Sequence, residues 1–132
     1  MSKSYGNAIA LSMTADETAA VIRRTVTDSE RRITFAPDTR PGVSALLSTA
    51  ALCLDTTPQA LAEQIGDAGS GRLKQVTTEA VNEFLAGHRQ RRQQLAQDPE
   101  VALRVLKRGN DRANEIANNT LDEVRKAMGT VY

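Results

Sequence analysis

Residues 41–54 read PGVSALLSTAALCL. No charge and no Pro interrupts the run from Val43 to Leu54, and its apolar residues fall on almost every side of a helical projection instead of alternating as in a half-buried strand. Pro41 suits the first turn of a helix, where its missing N–H is not needed. A helix of about three turns that is apolar nearly all round is one that other helices surround. The stretch therefore predicts the central helix of an all-α, bundle-like fold. Cys53, the one cysteine, sits inside it and reads as a buried, reduced thiol rather than a nucleophile or a ligand.

The composition agrees. The 132 residues are 40% apolar but only 3% aromatic, so the core must come from Leu, Val, Ile and Ala, which suit helix packing better than a sandwich or barrel. The length fits one domain. Upstream, TADETAAVIRRTVT (14–27) carries a capping box, Thr14 with Glu17, and places Ala15, Ala19, Ile22 and Val26 on one face of a short helix. DSERRITFAPDTRPG (28–42) has no helical period, and RITF is its only strand-like piece, which predicts an ordered loop.

Downstream, TTPQALAEQIGDAGSG (56–71) predicts a short helix started by Thr57 and Pro58, stopped near Gly66 and followed by a Gly/Ser linker. A long helix is predicted from about Arg72 to Gln97. Asp98 and Pro99 restart the pattern, and Val101, Val105, Leu106, Ala113, Ile116, Leu121, Val124 and Met128 mark a second long helix ending near Gly129. The two are expected to form an antiparallel hairpin, with Arg92 opposite Arg104 and His88 opposite Arg108.

Seventeen Lys and Arg against sixteen Asp and Glu exclude a polybasic tail and an acidic disordered segment. The charge is nevertheless uneven. Residues 85–112 hold seven cations (Arg89, Arg91, Arg92, Arg104, Lys107, Arg108, Arg112) against three acids (Asp98, Glu100, Asp111), a local +4 beside −3 elsewhere. Such a band fits phosphate-backbone contact, and it equally fits a solvated helix face with paired charges. The lone His88 has no second His or Cys pair at ligand spacing, so no metal site is predicted. Carboxylates adjacent in sequence, such as Asp122 and Glu123, diverge on a helix, and no complete active site is legible. Apolar runs stop short of the roughly 18 residues a membrane span needs, and a soluble, cytoplasmic protein with no membrane partner is expected.

The first four residues, Met1, Ser2, Lys3 and Ser4, set a lysine between two hydroxyls. Such a string can bring an ammonium and two donors to polyphosphate oxygens, or be an ordinary chain start. It is followed in order by YGNAIALSMTADETAAVIRRTVTDSE, RPGVSALL, KQVTTEAVNEFLAGHRQRR and VLKRGNDRANEIANNTLDEVRKAMG. This series resembles the carboxy-terminal part of bacterial tryptophanyl-tRNA synthetases, which are class I aminoacyl-tRNA synthetases, from their Lys-Met-Ser-Lys-Ser loop to the end.

The resemblance implies that residues 1–13 are the catalytic loop and connector, and that 14–132 form a helical anticodon-binding domain. The loop's leading Lys would precede Met1, which then resembles an internal methionine. Where relatives often read PGxSNLL, Ala45 replaces the Asn. By the same resemblance Lys3 is catalytic, with Met1, Ser2 and Ser4 completing the ATP and pyrophosphate-binding motif. ATP with Mg2+ serves the full-length enzyme, and none is expected on these residues alone. Partners are tRNA(Trp), a Rossmann domain amino-terminal to this chain and, in the full-length enzyme, a second copy. The seven cations above are the tRNA-binding candidates, by charge and not by motif. A freestanding tRNA-binding module and a protein-interaction bundle without catalysis are the competing readings.

Overall fold

The computed structural model describes residues 6 and 8–130, and the motif at residues 1–4 lies outside them. Among the described residues the regular elements are helices: α1 (Ala15–Arg24), α2 (Pro41–Cys53), α3 (Pro58–Ile65), a 3₁₀ turn (Gly66–Ala68), α4 (Gly69–Gln97) and α5 (Pro99–Ala127). No strand occurs among these residues, and 28–40 is an ordered loop as expected. The chain divides into two compact units, residues 1–90 and 91–132, with α4 continuing from the first into the second.

Each start signal works as read. Glu17 N–H donates to Thr14 Oγ1 at 3.2 Å while Thr14 N–H donates to Glu17 Oε2 at 2.8 Å, closing the capping box of α1. Thr57 Oγ1 accepts from Ala60 N–H at 3.2 Å to cap α3. Asp98 accepts from Glu100 N–H at 3.1 Å at the head of α5, with Pro99 as its first residue. Gly129 follows α5 at φ +67°, a left-handed exit that costs glycine no Cβ clash.

The core of the first unit is built around α2. Val43, Leu46, Leu47, Ala50 and Ala51 are buried against Ile22 of α1, Ile33 of the loop, Leu61 and Ile65 of α3, and Leu73, Ala80, Val81 and Leu85 of α4. The helix is central but not surrounded: Ala45, Ser48 and Leu52 lie exposed along one side. Cys53 is half-buried against the core, and loss of water around it pushes its thiol pKa up.

Three local details differ from the sequence reading. α1 ends at Arg24, so Val26 is 85% exposed, and the buried face is Thr18, Val21 and Ile22. The predicted Gly/Ser linker is instead the 3₁₀ turn and the first turn of α4, which starts at Gly69; Gly66 and Gly69 take φ +57° and +81°, so two glycines make a corner rather than a tether. At the head of α2, a Cβ on Gly42 would overlap the Val26 carbonyl oxygen, so the glycine is fixed by close backbone approach as well as by the Pro-Gly start.

In the second unit α5 has no buried residue. Leu103, Leu106, Ile116, Leu121, Val124 and Met128, the stripe that a tight helix pair would cover, are all exposed. Periodicity specifies an apolar face on one helix but does not name what covers it.

Candidate functional site

Two features of the first unit organise its amino-terminal side. The first is the loop between α1 and α2. Arg40 is only 7% exposed, and its guanidinium grips Asp28 through two hydrogen bonds, Nε to Oδ2 at 2.8 Å and Nη2 to Oδ1 at 2.6 Å. Its Nη1 also donates to the Arg32 carbonyl at 2.7 Å and to Thr34 Oγ1 at 2.8 Å. One buried fork thus ties together a loop that has no ladder of its own to satisfy its backbone. The hydrogen bonds from Arg40 hold the Asp28 carboxyl below the usual carboxylate range. Ile33 N–H donates to the Gly66 carbonyl at 2.8 Å, and Ala36 N–H to Ser44 Oγ at 3.0 Å, docking the loop on the 3₁₀ turn and α2.

The second is the entry to α1. Ile9 packs against the core, and Met13 N–H donates to the Ala10 carbonyl at 3.0 Å. Arg89 of α4 then donates from Nε to the Met13 carbonyl at 3.0 Å, from Nη2 to Thr18 Oγ1 at 2.8 Å and from Nη1 to Asn82 Oδ1 at 2.9 Å. Asn82 Nδ2 reaches the Ala15 carbonyl at 3.4 Å, and Lys74 Nζ donates to the Arg23 carbonyl at 3.1 Å. Met13, just ahead of α1, is therefore held to α4 through its carbonyl, and α1 itself through Ala15, Thr18 and Arg23.

The predicted cations separate by what they touch. Arg89 is half-buried with its fork occupied, which sets it apart from the other six. Arg104 is exposed and pairs with Asp98 at 3.2 Å and Glu100 at 3.4 Å. Arg91 and Arg92 on the last turns of α4, and Lys107, Arg108 and Arg112 on α5, are exposed and make no ion pair with any described residue. Arg104, Arg108 and Arg112 recur every fourth residue, so they share one face of α5. Met1, Ser2, Lys3 and Ser4 lie outside the described residues. Sequence reasoning missed Arg40, and charge alone did not set Arg89 apart from the rest of the basic band. Neither role leaves a periodic trace, because each depends on carbonyls brought near by the fold.

Known proteins share this architecture. The family described as tRNA synthetases class I (W and Y) matches residues 1–86. Tryptophan-tRNA ligase 1 of Streptomyces coelicolor is 38% identical over 108 residues, 82% of this chain and 32% of that protein. Tryptophan-tRNA ligase of Halalkalibacterium halodurans is 33% identical over 132 residues, 98% of this chain and 40% of that protein. The crystal structure of tryptophanyl-tRNA synthetase from Mycoplasma pneumoniae superposes with a TM-score of 0.64 at 29% identity, covering 98% of this chain and 42% of that one. The chain thus spans 32–42% of the length of these relatives. With its helical fold shared and more than half its length matched, the chain belongs to the class I tRNA synthetases of the W and Y group.

Proposed function

We propose that the chain is the carboxy-terminal portion of a tryptophan-tRNA ligase: the phosphate-handling loop at residues 1–4 followed by the helical, anticodon-binding part. The observation that carries this reading is the similarity to tryptophan-tRNA ligases along nearly the whole chain, from the loop onward. The full-length enzyme joins tryptophan to the α-phosphate of ATP, releasing pyrophosphate, and then passes the aminoacyl group to the 3′ end of tRNA(Trp) in the cytoplasm, working as a dimer. In the first step negative charge moves onto the departing pyrophosphate. A lysine ammonium placed beside it stabilises the transition state more than the ground state, which is the requirement for raising kcat. Lys3 is that lysine, with Ser2 and Ser4 as its supporting donors. Among the described residues no three His, Cys, Asp or Glu side chains converge, so Mg2+ in the full-length enzyme would be carried chiefly by the ATP phosphates.

For the second step, Arg91, Arg92, Lys107, Arg108 and Arg112 are the cations whose exposure suits phosphate-backbone contact. Arg104 is a weaker member, since Asp98 and Glu100 already offset its charge. The test is aminoacylation by the full-length protein. Charging of tRNA(Trp) with tryptophan, with an apparent affinity that falls as salt rises, is the expected result. Absence of tryptophan-dependent charging overturns the reading.

A further inference from the structure

We propose that Arg89 is a positioning residue for tryptophan activation, acting through the Met13 carbonyl on the chain segment that leads from the residue 1–4 motif into α1. The inference rests on the function proposed above and extends it to a residue that the family's loop motif does not include. The capping box satisfies the Thr14 and Glu17 N–H groups at the start of α1, and Arg89, a donor only, plays no part in that cap. Arg89 instead addresses acceptors on both sides of that cap: the Met13 carbonyl before it at 3.0 Å and the Thr18 hydroxyl beyond it at 2.8 Å.

Thr18 is wholly buried, and its hydroxyl donates in turn to the Thr14 carbonyl at 2.9 Å. Asn82, two turns earlier on the same face of α4, accepts from the same guanidinium and holds the Ala15 carbonyl. The direction in which the chain enters α1 is therefore set from α4 by one planar fork with three acceptors. A lysine, with a single ammonium on a flexible stem, cannot span them. Ile9 in the core and the Ala10 to Met13 turn complete the anchored lead-in. Displacement of a catalytic group by about 1 Å can cost on the order of 100-fold in rate, so loosening the chain ahead of α1 is expected to act on kcat.

The experiment is tryptophan-dependent ATP-pyrophosphate exchange, which needs no tRNA, on the full-length protein and its Arg89→Ala, Arg89→Lys, Lys3→Ala and Lys3→Ala/Arg89→Ala variants. Arg89→Ala is expected to lower kcat about 10- to 100-fold with the KM for tryptophan unmoved. Arg89→Lys is expected to recover only part of it. On the Lys3→Ala background the Arg89 substitution is expected to add no further loss, because both act through one group. Thermal unfolding followed by circular dichroism reports whether each variant is folded, and Arg89→Lys carries the test if Arg89→Ala is not. A loss that multiplies undiminished on the Lys3→Ala background, an unchanged exchange rate in Arg89→Ala, or a loss that appears only as a raised KM for tryptophan overturns the positioning role alone. Exchange indifferent to Lys3→Ala overturns the functional reading beneath it.

Discussion

Arg40 holds Asp28 by both carboxylate oxygens, at 2.6 and 2.8 Å, across twelve residues of the segment between α1 and α2. Asp28 is the more exposed partner, with about a third of its side chain open to water. Its folded pKa is lowered, chiefly by the hydrogen bonds from Arg40. The clasp's contribution is therefore fully present above the unfolded carboxylate value of about 3.9 and is lost as pH falls through the lower folded value. Urea unfolding of wild type and Asp28→Asn should differ most from about pH 5 upward and converge as the solution is acidified below the unfolded carboxylate value. A difference independent of pH would mean that the clasp does not contribute through ionised Asp28.

Two glycines, one in α2 and one in α5, make opposite predictions. Gly42→Ala forces a methyl onto the Val26 carbonyl and should destabilise by about 1–3 kcal/mol, read as a lowered Tm. Gly109 lies inside α5 with nothing near its missing Cβ, and Gly109→Ala should stabilise by about 0.5–1 kcal/mol through helix propensity.

Burial sets the scale for the apolar residues in the same way. Leu47 is completely buried at the centre of α2, so Leu47→Ala should cost about 2–5 kcal/mol. Ile116 is exposed on α5, and Ile116→Ala should stay within about 0.5 kcal/mol in chemical denaturation of the chain.

These contrasts mark what was legible in the sequence. Caps and Pro starts are local, satisfied within four residues, so Thr14, Thr57 and Asp98 could be placed without the fold. The central helix was legible because Val43 to Leu54 carries no competing polar signal, although its open side at Ala45, Ser48 and Leu52 was not, since exposure depends on which neighbours arrive. Gly66 and Gly69 read as a flexible linker, yet the same freedom from a Cβ lets them make a tight corner. Within the basic band, charge found the residues but not their partners. Only the fold separates Arg89, spent on Met13 and Thr18, from Arg108, which pairs with no described residue.

That separation predicts the behaviour of tRNA-site variants. Arg91→Glu with Arg108→Glu should raise the KM for tRNA about 10-fold or more, with pyrophosphate exchange unchanged. The salt dependence should flatten by about one unit of slope for each phosphate that is no longer neutralised. Arg104→Glu should do less, because Asp98 and Glu100 already share its charge. The measurement is aminoacylation across a salt series. An unmoved KM for tRNA in the double variant would return those arginines to a solvated helix face.

Whether this chain supplies the lysine of tryptophan activation is decided by pyrophosphate exchange in the full-length protein carrying Lys3→Ala. A fall in kcat of roughly 100-fold or more is expected, with the KM for tryptophan essentially unchanged, since Lys3 acts on charge that develops only in the transition state. An exchange rate equal to that of wild type would refute the role assigned to Lys3.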